Sequence, residues 1–201
     1  MPKVSKEYSE ARRQQIIDAA YQCFARKGFH QTTMRDIYEE ANLSPGAVYH
    51  YFDSKGEIIQ ASFDFDYERS RDVFGAAQAS DDALQGLDDL IDFFFQGLRE
   101  AAGLGAGRVN VQGWGEALVN PQVGATVREV MASSVQALAL VVRKAQQAGQ
   151  IDAALDPVAV SRLLLSAYYG LELQLALNPQ IDVDAYAAVV KALLRSLSSR
   201  V

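Results

Sequence analysis

The sequence predicts an all-α protein: an N-terminal three-helix unit containing a helix-turn-helix, followed by a larger C-terminal helical domain. Three observations carry this expectation. Apolar residues recur at spacings of three and four through nearly every segment of the 201-residue chain. Helix starts are signalled repeatedly, at Thr33, Ser44-Pro45, Ser54, Asn120-Pro121 and Asp156-Pro157. The composition, 49% hydrophobic and 22% charged, is that of a globular chain long enough for one large domain or two small ones.

The first helix is expected over residues 10–27, with Ile16, Ile17, Ala20 and Phe24 at core spacing and Gly28 as its stop. Thr33 reads as the N-cap of a short second helix, about 34–41, with Asp36 placed for a near capping box. That helix packs through Ile37 and Tyr38. Asn42 tolerates the left-handed backbone of a tight turn. Ser44 caps the third helix and Pro45 takes its first position, where a missing N–H costs nothing. Ser54 with Glu57 starts a fourth helix running towards Gly75.

The third helix is barely two turns long and sorts by face. Val48 and Phe52, four apart, join Leu43 as inward anchors. Gly46, Ala47, Tyr49, His50 and Tyr51 are left on the surface. Small residues at a helix start let another surface approach closely, and phenol and imidazole groups supply donors on short stems. This is chemistry suited to the major groove of DNA. Lys55 lies at the next helix start, where an ammonium and backbone amides can hold one phosphate. Tyr49 could instead cap a small core, and His50 could be an ordinary surface histidine.

Charge is distributed to match. Residues 1–35 carry seven basic residues against three acidic ones, whereas residues 61–201 carry 11 basic and 17 acidic. The whole chain has a net charge of −6. A basic arm on an acidic body points to a polyanionic partner at one end, or else to a solvated face. Arg12 and Arg13 share that choice, being either solvated or placed for flanking phosphates. The single cysteine, Cys23, precludes a disulfide framework, reads as a structural thiol and fits a reducing cytoplasm. The most apolar stretch, Val158 to Leu177, is interrupted by Arg162 and Glu172 and reads as a buried helix, so no membrane span is expected.

The run "TTMRDIYEEANLSPGAVYHYFDSKGEI" resembles the DNA-binding signature of TetR-type (tetracycline repressor-like) regulators, a likeness covering roughly residues 10–70. The resemblance implies an N-terminal helix-turn-helix domain, residues 10–70 with its motif at 33–52. A C-terminal ligand-sensing and dimerisation domain, residues 71–201, would follow. It implies that Thr33, Ser44, Tyr49 and Lys55 hold phosphates. Arg35, Pro45, Gly46, Ala47 and His50 would lie near bases, and Tyr51 could serve either role. Two residues depart from the family pattern: Tyr38 stands where alanine is usual and Asn42 where glycine is usual.

Beyond residue 70 there is no signature. Leu84, Leu87, Ile91, Phe94 and Leu98 form an amphipathic stripe over 81–101. "GLGAGRVNVQGWGEAL" lacks the order of a nucleotide loop and reads as a flexible connection or irregular helix. A long helix follows from Asn120-Pro121 to about Gly149. The next, opened by Asp156-Pro157, is apolar nearly all round. The last, opened by Asp182 or Asp184, carries Val183, Tyr186, Val190, Leu193 and Leu197 at heptad-like spacing. Apolar residues on several faces imply a second burial surface, most simply a homodimer through the last two helices. A twofold dimer would read a pseudo-palindromic operator of double-stranded DNA.

No enzymatic site is expected. Both histidines, His30 and His50, and Cys23 lie in the N-terminal unit, leaving no nucleophile–base pair or soft-metal cluster in the C-terminal domain. Asp88 and Asp92, four apart, read as a solvated acidic face. No cofactor or metal is implied. A sensing pocket is the better role for this domain, with Phe94, Trp114, Met131, Tyr168 and Tyr169 as candidate lining for a mostly apolar effector. Glu116, Arg128 and Glu172 are possible polar anchors. The function expected is therefore a ligand-responsive repressor. The alternative is a helical protein-interaction module that has lost operator binding.

Overall fold

The computed structural model describes residues 6–102 and 106–197, with side chains outside 62–69 and 101–106. The described residues form helices α1 (Lys6–Lys27), α2 (Met34–Glu40), α3 (Pro45–Tyr49), α4 (Lys55–Ala79) and α5 (Ala83–Ala102). These are followed by α6 (Ala106–Val119), α7 (Pro121–Gln147), α8 (Pro157–Leu177) and α9 (Val183–Ser196). They contain no strand. Two compact units result, one within Met1–Phe65 and Arg108–Val127, the other within Asp66–Gly107 and Arg128–Val201.

The first unit is built on the expected caps. α1 ends at Gly28, whose φ of +80° suits a residue without a Cβ. At α2 the capping box is complete: the Thr33 hydroxyl oxygen accepts from the Asp36 N–H and the Asp36 carboxylate from the Thr33 N–H. Asn42 holds the turn with φ +53°, and Ser44 caps α3 by accepting from the Ala47 N–H at 3.2 Å. Ser54 accepts from the Glu57 N–H, but the Glu57 carboxylate reaches back to the Asp53 N–H rather than to the cap itself. Ile16, Phe24, Ile37, Val48, Phe52, Ile58 and Ile59 close the core, each worth about 1.5–3 kcal/mol of burial. Tyr38 is only half-buried.

The glycine-rich stretch forms an ordinary helix over Ala106–Val119; residues 103–105 lie outside the described part. Its fixed points belong to the first unit. Val109 is buried, the Asn110 side-chain oxygen accepts from the Tyr21 hydroxyl at 3.0 Å, and that of Gln112 accepts from the Phe29 N–H. Tertiary contacts therefore override the local cost of glycine in a helix.

The second unit packs Leu87, Ile91, Phe95 and Leu98 of α5 against Leu138, Val141 and Val142 of α7, Leu171 and Leu175 of α8, and Val183, Val190 and Leu194 of α9. A Cβ on Gly86 would come within 2.8 Å of the Ala77 carbonyl oxygen, so glycine is required where α4 and α5 meet. α7 is long and apolar enough to cross a membrane by length and composition alone. Its Leu138, Ala139, Val141, Val142 and Ala145 are instead buried within the fold.

The acidic face of α5 is only partly solvated as expected, since Asp92 is exposed and Asp88 is buried. Asp92 accepts from Lys191 at 2.6 Å and Asp88, buried, accepts from Arg195, so two residues four apart on α5 meet two residues four apart on α9. Arg99 and Asp184 continue the ladder with reversed sign, and the pairs run down α9 as they run up α5, as antiparallel helices demand. The heptad stripe of α9 likewise splits. Val183 and Val190 are buried and Tyr186 and Leu197 pack on the core, whereas Leu193 faces outward.

Unequal burial along this ladder sets unequal energies. Arg195→Ala strands the buried Asp88 carboxylate and should cost about 1–3 kcal/mol in urea unfolding. Arg99→Ala removes an exposed pair and should cost no more than about 1 kcal/mol. Equal losses would overturn this ranking.

Candidate nucleic-acid interface

The surface of α3 follows from its anchors. Val48 is fully buried and Phe52 nearly so, which turns the rest of this short helix outward. Ser44, Pro45, Gly46, Tyr49 and His50 are exposed, Ala47 and Tyr51 half-buried, and the His50 and Tyr51 rings meet edge to face at 5.0 Å. A Cβ added to Gly46 would meet nothing within 4 Å. Glycine inside a helix costs about 0.5–1 kcal/mol relative to alanine, and no packing within the protein requires it here. The vacant surface is therefore suited to close approach by another molecule.

The other sequence-selected residues surround this helix with their donors differently committed. The Ser44 hydroxyl oxygen is used as a cap, leaving its O–H to donate outward. The Thr33 hydroxyl donates to Asp36 at 2.9 Å. Arg35 is exposed and its Nε donates to Glu39 at 2.8 Å, a surface pair weak enough to exchange partners. Lys55 reaches back instead, donating to the Phe29 carbonyl at 2.7 Å and the His30 carbonyl at 3.4 Å, over the Phe29 ring. Burial pushes its pKa below the ordinary lysine value, while Glu116 and Asp36 act the other way. Its tie to the α1–α2 turn could not be read from sequence, because the acceptors are backbone carbonyls.

This geometry can be set beside known proteins. Residues 16–62 match the model of the bacterial regulatory proteins of the tetR family, and residues 83–199 match that of the BetI-type transcriptional repressor C-terminal domain. The chain belongs to the TetR family. It is 32% identical over 158 residues to the transcriptional regulator UidR of Escherichia coli K12, covering 79% of this chain and 78% of that one. The fold superposes on Salmonella enterica GusR with a TM-score of 0.77 at 29% identity, covering 98% of each chain. Bacillus subtilis FadR in complex with stearoyl-CoA shares the fold at 21% identity, TM-score 0.74, with 92% of this chain and 99% of that one covered. This TetR-family chain is a DNA-binding transcriptional regulator of the repressor type. Its relatives are regulators rather than enzymes. The family binds operator DNA as dimers and small molecules as effectors.

The residues proposed from sequence for an effector pocket fall into two groups. In the second unit, Phe94 and Tyr168 lie 5.5 Å apart, Tyr168 and Tyr169 5.3 Å apart, and Phe74, Phe93 and Phe95 extend the ring cluster. Burial, with Glu172 assisting, pushes the Tyr169 pKa up to about 12, and Glu172 is itself buried. Met131 is half-buried on α7 and Arg128 exposed. Trp114 and Glu116 belong to the first unit. Among the described residues no group of three or more His, Cys, Asp or Glu could hold a metal ion.

Asp36 ties this interface to pH. The Lys27 ammonium at 2.5 Å, and then the Thr33 N–H and hydroxyl, hold its carboxyl well below the usual carboxylate range. A depressed native pKa stabilises the fold above the unfolded value of about 4, and that stability is lost as pH falls towards the native pKa. Asp36→Asn should therefore lower stability at neutral pH by a margin that narrows as urea titrations move below about pH 4. A margin independent of pH would show that the carboxylate charge is not what matters.

Proposed function

We propose that this chain represses transcription in the cytoplasm as a homodimer on a pseudo-palindromic operator, each protomer laying α3 in the major groove of one half-site. Residues 10–70 form the DNA-binding domain and residues 71–201 the effector and dimerisation domain. The exposed, small-residue start of α3, opened by Ser44 and carrying a Gly46 that no internal packing needs, is the observation that carries this reading. Gly46 and Ala47 admit the groove wall; Arg35, Pro45 and His50 lie near bases, and Tyr51 near a base or phosphate. Thr33, Ser44 and Tyr49 take phosphates, and Lys55 contributes the ammonium proton left after its two carbonyl bonds.

Anisotropy on DNA from upstream of its own gene tests this reading. Tyr49→Ala should weaken binding by about 1–3 kcal/mol, and binding by the parent should fall steeply with salt. Weak binding indifferent to both salt and the mutation would favour a protein-interaction module instead.

Support for the dimer comes from aliphatic residues left exposed on the last two helices: Leu163, Leu173 and Leu177 of α8, Val189 and Leu193 of α9. The aromatic cluster of Phe94, Tyr168 and Tyr169, with Met131 of the same unit, is proposed as lining for a mostly apolar effector. A ligand moves an equilibrium only by its differential affinity for the two states. An effector found by thermal-shift screening should therefore bind the free and DNA-bound protein with different affinities in calorimetry. Identical affinities would leave repression without effector control.

A further inference from the structure

The basic residues of the first unit are not equivalent once their partners are seen. Seven basic side chains are described between residues 6 and 55. Four are neutralised by carboxylates: Lys6 by Glu10, Arg26 by Glu40, Lys27 by Asp36 and Arg35 by Glu39. Lys55 is tied to two backbone carbonyls. Arg12 and Arg13 differ from all of these, because among the described residues the groups that hold each in place are neutral.

Arg12 lies 4.9 Å from the centroid of the Tyr8 ring, donates to the Tyr8 hydroxyl at 2.7 Å and donates to the Gln15 side-chain oxygen at 2.7 Å. Gln15 in turn donates to the Ala41 carbonyl at 2.8 Å, next to the Asn42 turn that leads into α3. Arg13 sits 5.2 Å over the ring of Phe52, the residue that anchors the end of α3. Both guanidinium groups are thus registered against the recognition helix, yet neither meets a carboxylate among the described residues. A guanidinium fixed by neutral partners keeps its charge and its remaining donors directed at whatever lies outside.

The first turns of α1 add no fully buried residue to the core. No residue from Lys6 to Gln15 is buried, and the core begins at Ile16. A helical extension that buries nothing is marginal in water. This one is held by side-chain pairs on its own surface, including Gln14 with Asp18 at 2.8 Å.

We propose that Arg12 and Arg13 form a phosphate clamp that grips the DNA backbone beside the half-site met by α3. The clamp rests on the reading of α3 as the DNA-binding helix, and it adds affinity without adding base specificity. Phosphate contacts position a protein on the duplex in any sequence. Tyr8 and Gln15, which hold the Arg12 guanidinium, are its positioning residues.

Because the contact is sequence-independent, it can be measured without the operator. Anisotropy is recorded across a salt series on a labelled random-sequence duplex and on the duplex from upstream of the gene. Each neutralised phosphate contributes a slope of about 0.9 in log affinity against log salt. Arg12→Gln and Arg13→Gln should each flatten that slope by about 1 per protomer and weaken both duplexes by a similar factor, about tenfold near 0.1 M salt. Arg12→Lys should restore most of the slope. Tyr8→Leu should keep the slope, since the charge remains, but lower affinity about threefold through lost preorganisation.

Should Arg13→Gln unfold through loss of its stack on Phe52, Arg12→Gln alone decides the outcome. A parent that binds while the glutamine variants keep its slope overturns the clamp and leaves the α3 reading intact. Weakening confined to the upstream duplex also overturns it, because it would make the arginines base readers. A parent that binds neither duplex removes the α3 reading, and the clamp with it.

Discussion

A five-residue helix cannot hold itself together in water, since nucleating a helical turn costs more than one or two backbone hydrogen bonds return. α3 exists because Val48 and Phe52 are seated in a core built by other elements, with Ser44 and Pro45 setting its first turn. Everything exposed on α3 depends on that seating. Tyr49 and His50 point outward because their neighbours at 48 and 52 point inward, and a helix this short has no other way to fix its rotation. The same dependence explains why so many ties converge nearby. Gln15 holds the Ala41 carbonyl, Arg13 covers Phe52, and Lys55 bonds the turn between α1 and α2.

Electrostatics in this unit separates charges that hold the protein together from charges left for a partner. Asp36 shows the first kind: it closes the cap of α2, accepts from Lys27 on α1 and receives the Thr33 hydroxyl. The Lys27 ammonium beside it offsets its charge, so the pair repels an approaching polyanion less than a lone carboxylate would. Glu40 is likewise paired with Arg26, and Glu39 with Arg35 in a weaker, exposed pair that can exchange partners. Among the described residues, Asp36, Glu39 and Glu40 are thus paired with cations, whereas Arg12 and Arg13 meet no carboxylate. Net charge alone could not reveal this, because paired and unpaired cations count equally in a composition.

The features legible in sequence were those determined within about four residues. Thr33 with Asp36, Ser44 with Pro45, Asp156 with Pro157 and the stop at Gly28 all appear where their chemistry places them. Asp182, one of two candidate starts for α9, is its cap. What was hidden depended on partners far along the chain. Asp88 and Asp92 look like an acidic face until Lys191 and Arg195, with the same spacing, are laid against them. Glycines at 107, 113 and 115 look like a flexible connection until Asn110 and Gln112 are seen bonding to Tyr21 and Phe29. Local spacing states what a residue could do, and only the fold supplies the second party.

The exposed groups of α3 and those of the last two helices differ in kind. On α3 the exposed groups are rings with polar tips beside a glycine, which keep their donors hydrated until a ligand replaces the water. On α8 and α9 they are bare aliphatics, Leu163, Leu173, Leu177, Val189 and Leu193, which gain only by leaving water altogether. A wet, polyanionic duplex suits the first surface and not the second; a second apolar protein face suits the second and not the first. The division has a consequence for salt. Screening weakens contacts made through charge and barely touches those made by apolar burial. If the proposed assignments hold, raising ionic strength should release DNA while leaving an association through α8 and α9 in place.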